Sequence, residues 1–72
     1  MSDWVVVVDW VPLLEAEPLF REWLRSHDLA EDDLDLEALW VDTGRGSGTD
    51  LRRYRVTRAE LERLKIDPKA RP

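Results

Sequence analysis

One stretch near the amino terminus, Asp3-Trp4-Val5-Val6-Val7-Val8-Asp9-Trp10-Val11, constrains this chain more than any other. It holds seven apolar residues interrupted once, by Asp9, and Pro12 closes it. Val and Trp suit a pleated, packed surface, and an apolar run of this length fits a buried strand better than a helix. On strict alternation Trp4, Val6, Val8 and Trp10 point to one face and Val5, Val7 and Val11 to the other, so both faces want cover. A chain of 72 residues has few elements with which to supply it.

The remaining elements follow from local signals. Residues 12–17 read as a turn or short helical loop, because Pro18 disfavours helical geometry at Glu17 yet suits the first position of a helix. A first helix is expected over 18–27, with Leu19, Phe20, Trp23, Leu24 and His27 forming its apolar stripe. The acidic segment Asp28 to Asp35 reads as a solvated connection. Residues 36–42 form a second strand candidate and residues 51–56 a third. Between them Thr43-Gly44-Arg45-Gly46-Ser47-Gly48-Thr49-Asp50 reads as a loop, which makes the two strands an antiparallel hairpin. Thr57-Arg58-Ala59-Glu60 is a capping box opening a last helix, supported by a Val56–Leu61 staple and an Arg58–Glu62 pair. Pro68 is expected to stop it, leaving residues 69–72 as a flexible tail on a single domain spanning 1–68.

The expected fold is therefore α+β, a small two-layer β-α-β-β-α domain with a three-stranded mixed or antiparallel sheet and two helices. If the second and third strands pair as a hairpin, the first cannot lie between them and must form an edge. A long, apolar edge strand invites pairing with another chain unless it is covered. Burial of two Trp and two Val side chains there would contribute on the order of 6–10 kcal/mol before association costs. This predicts docking on another protein, or on copies of the same chain as a homo-oligomer, through Trp4, Val6, Val8 and Trp10. Trp40 and the hairpin tip at Arg45 would add secondary contacts.

Charge defines the rival reading. Residues 1–42 carry twelve Asp or Glu against two Arg, a balance of −10, whereas residues 43–72 carry nine Arg or Lys against four acids, a balance of +5. The third strand sets Arg52, Arg53 and Arg55 beside Tyr54, and Arg58 follows at the last helix. Arginines interleaved with aromatics can take single-stranded nucleic acid. The acidic first part would repel that polyanion, and pairing of these arginines with residues 28–37 accounts for them more simply. Spaced carboxylates from Asp28 to Glu37 could also imitate nucleic-acid phosphates on a basic partner, a variant of the protein-binding reading.

Chemistry is sparse. The chain has no cysteine and one histidine, which removes thiol nucleophiles and argues against a transition-metal site. Ser26-His27-Asp28 contains the residue types of a triad, but consecutive residues point in different directions. Asp33, Asp35 and Glu37 resemble a calcium loop only loosely, since Ala38 stands where a glycine is needed. Gly44-Arg45-Gly46-Ser47-Gly48 leads into a strand, whereas phosphate-binding glycine loops lead into a helix. The expectation is a non-enzymatic accessory, inhibitor or assembly protein without cofactor, of the kind phages and mobile elements encode. With no apolar run of membrane-spanning length, a cytoplasmic location follows, in a host cell or virion if the source is a phage.

Overall fold

The computed structural model describes residues 3–66. Three strands, β1 (Trp4–Pro12), β2 (Leu39–Gly46) and β3 (Thr49–Thr57), form one antiparallel sheet in the order β1-β3-β2. Two helices, α1 (Leu13–Ser26) and α2 (Arg58–Arg63), complete an α+β fold. The first strand is an edge, as the hairpin argument requires, and the central position belongs to β3. The expected tail at 69–72 and the stop at Pro68 lie outside the described residues.

Both helices rest on the same side of the sheet. Phe20 and Leu24 of α1 and Leu61 of α2 join Val8, Leu34, Val56 and Ile66 in one buried cluster, and Phe20 stacks on Tyr54 with ring centroids 4.6 Å apart. Along β3 the alternation then fixes the faces: Tyr54 and Val56 point to the helices, and Arg53 and Arg55 point away. No helix among the described residues covers that second face.

The strict alternation expected of β1 fails at one residue. Val6 lies opposite Arg55 and Val8 opposite Tyr54, so two steps along β1 match one along β3 and Val7 is the extra residue of a bulge. A second irregularity lies between Val8 and Val11. The first bulge turns Val8 into the core, where it is 6% exposed, and the second returns Trp10 to the open face. Val5, Val7 and Val11 pack against the core.

The first helix begins five residues earlier than its proline suggests. Pro12 occupies the N-cap and Pro18 sits within the second turn, exposed to solvent. Ala16, Phe20 and Leu24 form the buried stripe, whereas Leu19 is exposed. Both helices end in Schellman motifs closed by residues other than glycine. Asp28 (φ 60°) follows α1 with Leu29 N–H donating to Leu24 O, and Lys65 (φ 61°) follows α2 with Ile66 N–H donating to Leu61 O. This motif ends α2 at Arg63.

The glycine-rich segment is strand as far as Gly46. Only Ser47 and Gly48 form the turn, and their positive φ values of 53° and 79° are those of a type I′ hairpin. Residues 31–38 are not featureless. Two 3-10 turns, Glu31–Asp33 and Leu36–Ala38, are closed by Asp33 accepting from Ala30 N–H (2.8 Å) and Asp35 accepting from Glu37 N–H (3.0 Å).

The capping box forms on one side only. Thr57 Oγ1 accepts from Glu60 N–H at 3.2 Å, but the Glu60 carboxylate turns the other way. It accepts from Asp35 N–H (2.7 Å) and from Arg63 Nε and Nη2 (2.6 and 2.7 Å), while Arg63 also donates to Asp33 O. This knot fastens the acidic connection to α2. Glu60 is 5% exposed, and the hydrogen bond from Arg63, opposed by burial and aided by the Asp35 amide, holds its carboxyl at about 2. The expected Arg58–Glu62 pair is not among the ion pairs of the described residues; Arg58 N–H instead donates to Asp3 O, tying the start of α2 to β1.

Candidate functional site, the open face of the sheet

The uncovered face is built from all three strands. Trp4, Val6 and Trp10 come from β1, Arg53 and Arg55 from β3, and Trp40, Asp42 and Gly44 from β2. The arginines occupy the middle because β3 is central, and each is roofed by an indole from the edge. Arg53 lies 4.8 Å from the Trp10 ring centroid and Arg55 5.7 Å from that of Trp4. Trp4 reaches on across the sheet to meet Trp40 edge to face, with centroids 6.3 Å apart.

Trp10 crosses the sheet as well, and the glycine beneath it explains why β2 tolerates so little side chain there. A Cβ on Gly44 would stand 2.9 Å from Cζ3 of Trp10, closer than van der Waals contact permits. The indole therefore lies against bare backbone, and the glycine taken from sequence for a loop residue is a notch for a ring.

Under the indoles, Asp42 joins the two arginines. Arg53 Nε donates to its Oδ2 at 2.9 Å and Arg55 Nη2 to its Oδ1 at 2.9 Å. Arg55 Nε is 2.7 Å from Oδ2 but too far off line to donate, and it is buried without a hydrogen-bond partner. Burial works against ionisation of Asp42, but the hydrogen bonds and charges of Arg53 and Arg55 prevail and keep its carboxyl below the ordinary value. The partner of these arginines is thus the neighbouring strand and not residues 28–37. Two guanidinium groups share one carboxylate, which leaves this face of an acidic protein with one excess positive charge.

Of the six residues expected to dock a protein, Trp4, Val6, Trp10 and Trp40 meet on this face. Trp10 is 41%, Val6 44% and Trp40 54% exposed, and Trp4 is half-buried. Val8 does not belong with them, because the bulge at Val7 places it in the core. Arg45 stands apart at the hairpin tip, 3.4 Å from Asp50. Covering the exposed parts of Trp10 and Trp40 would contribute about 5 kcal/mol before association costs.

The four arginines of the nucleic-acid reading are not brought together. Arg53 and Arg55 lie on the open face, paired and roofed. Arg52 follows Tyr54 and Val56 to the other face and donates to Leu51 O, and Arg58 sits at the start of α2. Sequence reasoning did not single out Asp42 or the notch at Gly44, and where it allows Arg53 or Arg55 to stack on Trp40 of the neighbouring strand, the rings over them are Trp10 and Trp4 of β1. A lone Asp in an apolar strand two residues from a glycine was the available signal, but its meaning depends on the register with β3.

The residues with catalytic types do not assemble. Ser26 Oγ donates to Trp23 O, His27 packs edge-on against Trp23, and Asp28 takes the left-handed conformation that ends α1. Asp33 and Asp35 cap 3-10 turns. No group of three or more His, Cys, Asp or Glu among the described residues is placed to hold a metal ion, and no helix there is long and apolar enough to cross a membrane. In comparisons with protein families, curated proteins and solved structures, no family model, curated protein or solved structure matches this chain.

Proposed function

We propose that this chain is a non-enzymatic binding or assembly module that docks a partner protein on the open face of its sheet, with Trp4, Val6, Trp10 and Trp40 as the contact surface. The observation that carries the reading is that both helices pack on one side and leave three large apolar side chains well exposed on the other. Aromatic anchors set around a partly buried charge cluster are the composition of binding hot spots. The arginines support it in a different way from that expected of a nucleic-acid groove. Half-neutralised by Asp42 and covered by indoles, they stiffen the platform and hold the rings in place.

The test compares proteins captured from the native lysate by the wild-type chain, by Val6→Glu on the open face and by Leu14→Glu on the exposed start of α1. Capture retained by Leu14→Glu and lost by Val6→Glu supports the reading. Equal capture by all three refutes it. Retention of oligo(dT) with steep salt dependence, weakened by Arg53→Glu, would favour the nucleic-acid reading instead.

A further inference from the structure

The two edges of the sheet are not equally protected. Edge β1 carries two irregularities, ends at Pro12, and has the Asp9 carboxylate accepting its own strand's Trp10 N–H at 2.8 Å. Bulges, proline and a carboxylate at the edge are devices that prevent strand addition. Edge β2 has neither bulge nor proline, and its carboxylate, Asp42, is tied inward to Arg53 and Arg55. Its eight residues pair with β3 without a register shift. The helices lie over β1 and β3, so that Trp40 is exposed on one face of β2 and Val41 on the other. A regular strand with apolar residues on both faces and a free edge is a template for another strand.

We propose that a second copy of this chain adds its β2 antiparallel to this β2, giving a two-fold dimer with a continuous six-stranded sheet. Because the axis must run through the sheet, opposed residues face the same side, and their numbers therefore add to an even value. A register centred on Asp42 would set two carboxylates against each other, which is unfavourable. The register centred on Thr43 avoids this and opposes Thr43 with Thr43, a favoured strand pair. It also opposes Val41 with the aliphatic stem of Arg45, Asp42 with Gly44, and Trp40 with Gly46. Both sets of helices fall on one side, and the dimer presents the open face twice. The proposal rests on the edge of β2 and shares only Trp40 with the docking surface, and its test at Thr43 is separate from the test at Val6.

Sedimentation from micromolar to millimolar concentration tests it, with substitutions at Thr43, whose side chain is exposed. The wild type is expected to dimerise. Thr43→Lys and Thr43→Glu are each expected to weaken the dimer about tenfold or more by placing like charges at the axis, and an equimolar mixture of the two is expected to restore it. In a chain without cysteine, Thr43→Cys should form a disulfide-linked dimer under mild oxidation, and Arg45→Cys should not. A wild type that stays monomeric throughout overturns the proposal. So does a dimer indifferent to both charged variants, or equally fast cross-linking at positions 43 and 45.

Discussion

Substitution of Glu60 by Gln removes one negative charge from a site where the carboxylate serves three donors. The carboxyl has an ordinary value of 4.5 and is held at about 2 in the fold. At about 1.36 kcal/mol per pH unit, that difference corresponds to about 3 kcal/mol at neutral pH. The Arg63 side chain is 56% exposed, so solvent screening reduces the figure to about 2 kcal/mol. For a domain of this size such a loss lowers the thermal midpoint by about 8–16 °C. The sign with pH follows from the depressed value. The contribution is complete above pH 4.5 and disappears as the pH falls towards 2, where the folded carboxyl also takes a proton. Thermal melts by circular dichroism from pH 7 to pH 2.5 should therefore show a wide gap between wild type and Glu60→Gln at neutral pH that narrows in acid. A gap that stays constant over this range would place the effect in packing, and absence of any gap would refute the role given to the Glu60–Arg63–Asp35 knot.

The bulge at Val7 predicts opposite outcomes for neighbouring positions: Val8→Lys should cost about 3 kcal/mol or more and unfold much of the population, whereas Val6→Lys should change the urea midpoint little. Gly44→Val should displace Trp10 from Arg53 and β2 at a cost of about 1–2 kcal/mol, read as a urea-midpoint shift and a change in tryptophan emission; an unchanged emission spectrum would argue against the notch. Lys65→Gly should raise stability by about 0.5–1 kcal/mol, since φ at that position suits glycine, and a loss of stability in the same assay would contradict the Schellman assignment.

Much of this fold can be read from local chemistry. The edge position of the first strand follows from the hairpin, and the start of α2 follows from Thr57 and Glu60 flanked by Val56 and Leu61. What escapes such reading depends on tertiary contact. Val8 is indistinguishable from Val6 until the pairing with Tyr54 and Arg55 shows which steps are bulged. Gly44 and Gly46 read as a loop because their reason for being small, a ring from β1 and Leu51 of β3, lies elsewhere in the chain. Pro18 reads as a helix start because its tolerance inside α1 depends on facing solvent near the amino-terminal end. Asp28 and Lys65 carry no glycine-like signal although the backbone turns left-handed at both. The candidate site was legible in part for the same reason: its tryptophans are evident, while Asp42 acquires its role only once β3 lies between β1 and β2.

Whether the tryptophan face is open in the isolated chain and closed in its working state is best settled by hydroxyl-radical footprinting of the indoles. The chain is oxidised at high dilution after purification and, tagged, in its native lysate. Trp4, Trp10 and Trp40 are expected to react readily in the first sample and to be protected in the second, with Trp23, packed between Phe20 and His27, reacting alike in both. Equal reactivity of the three face indoles in the two samples, or their protection already at high dilution, would contradict the account.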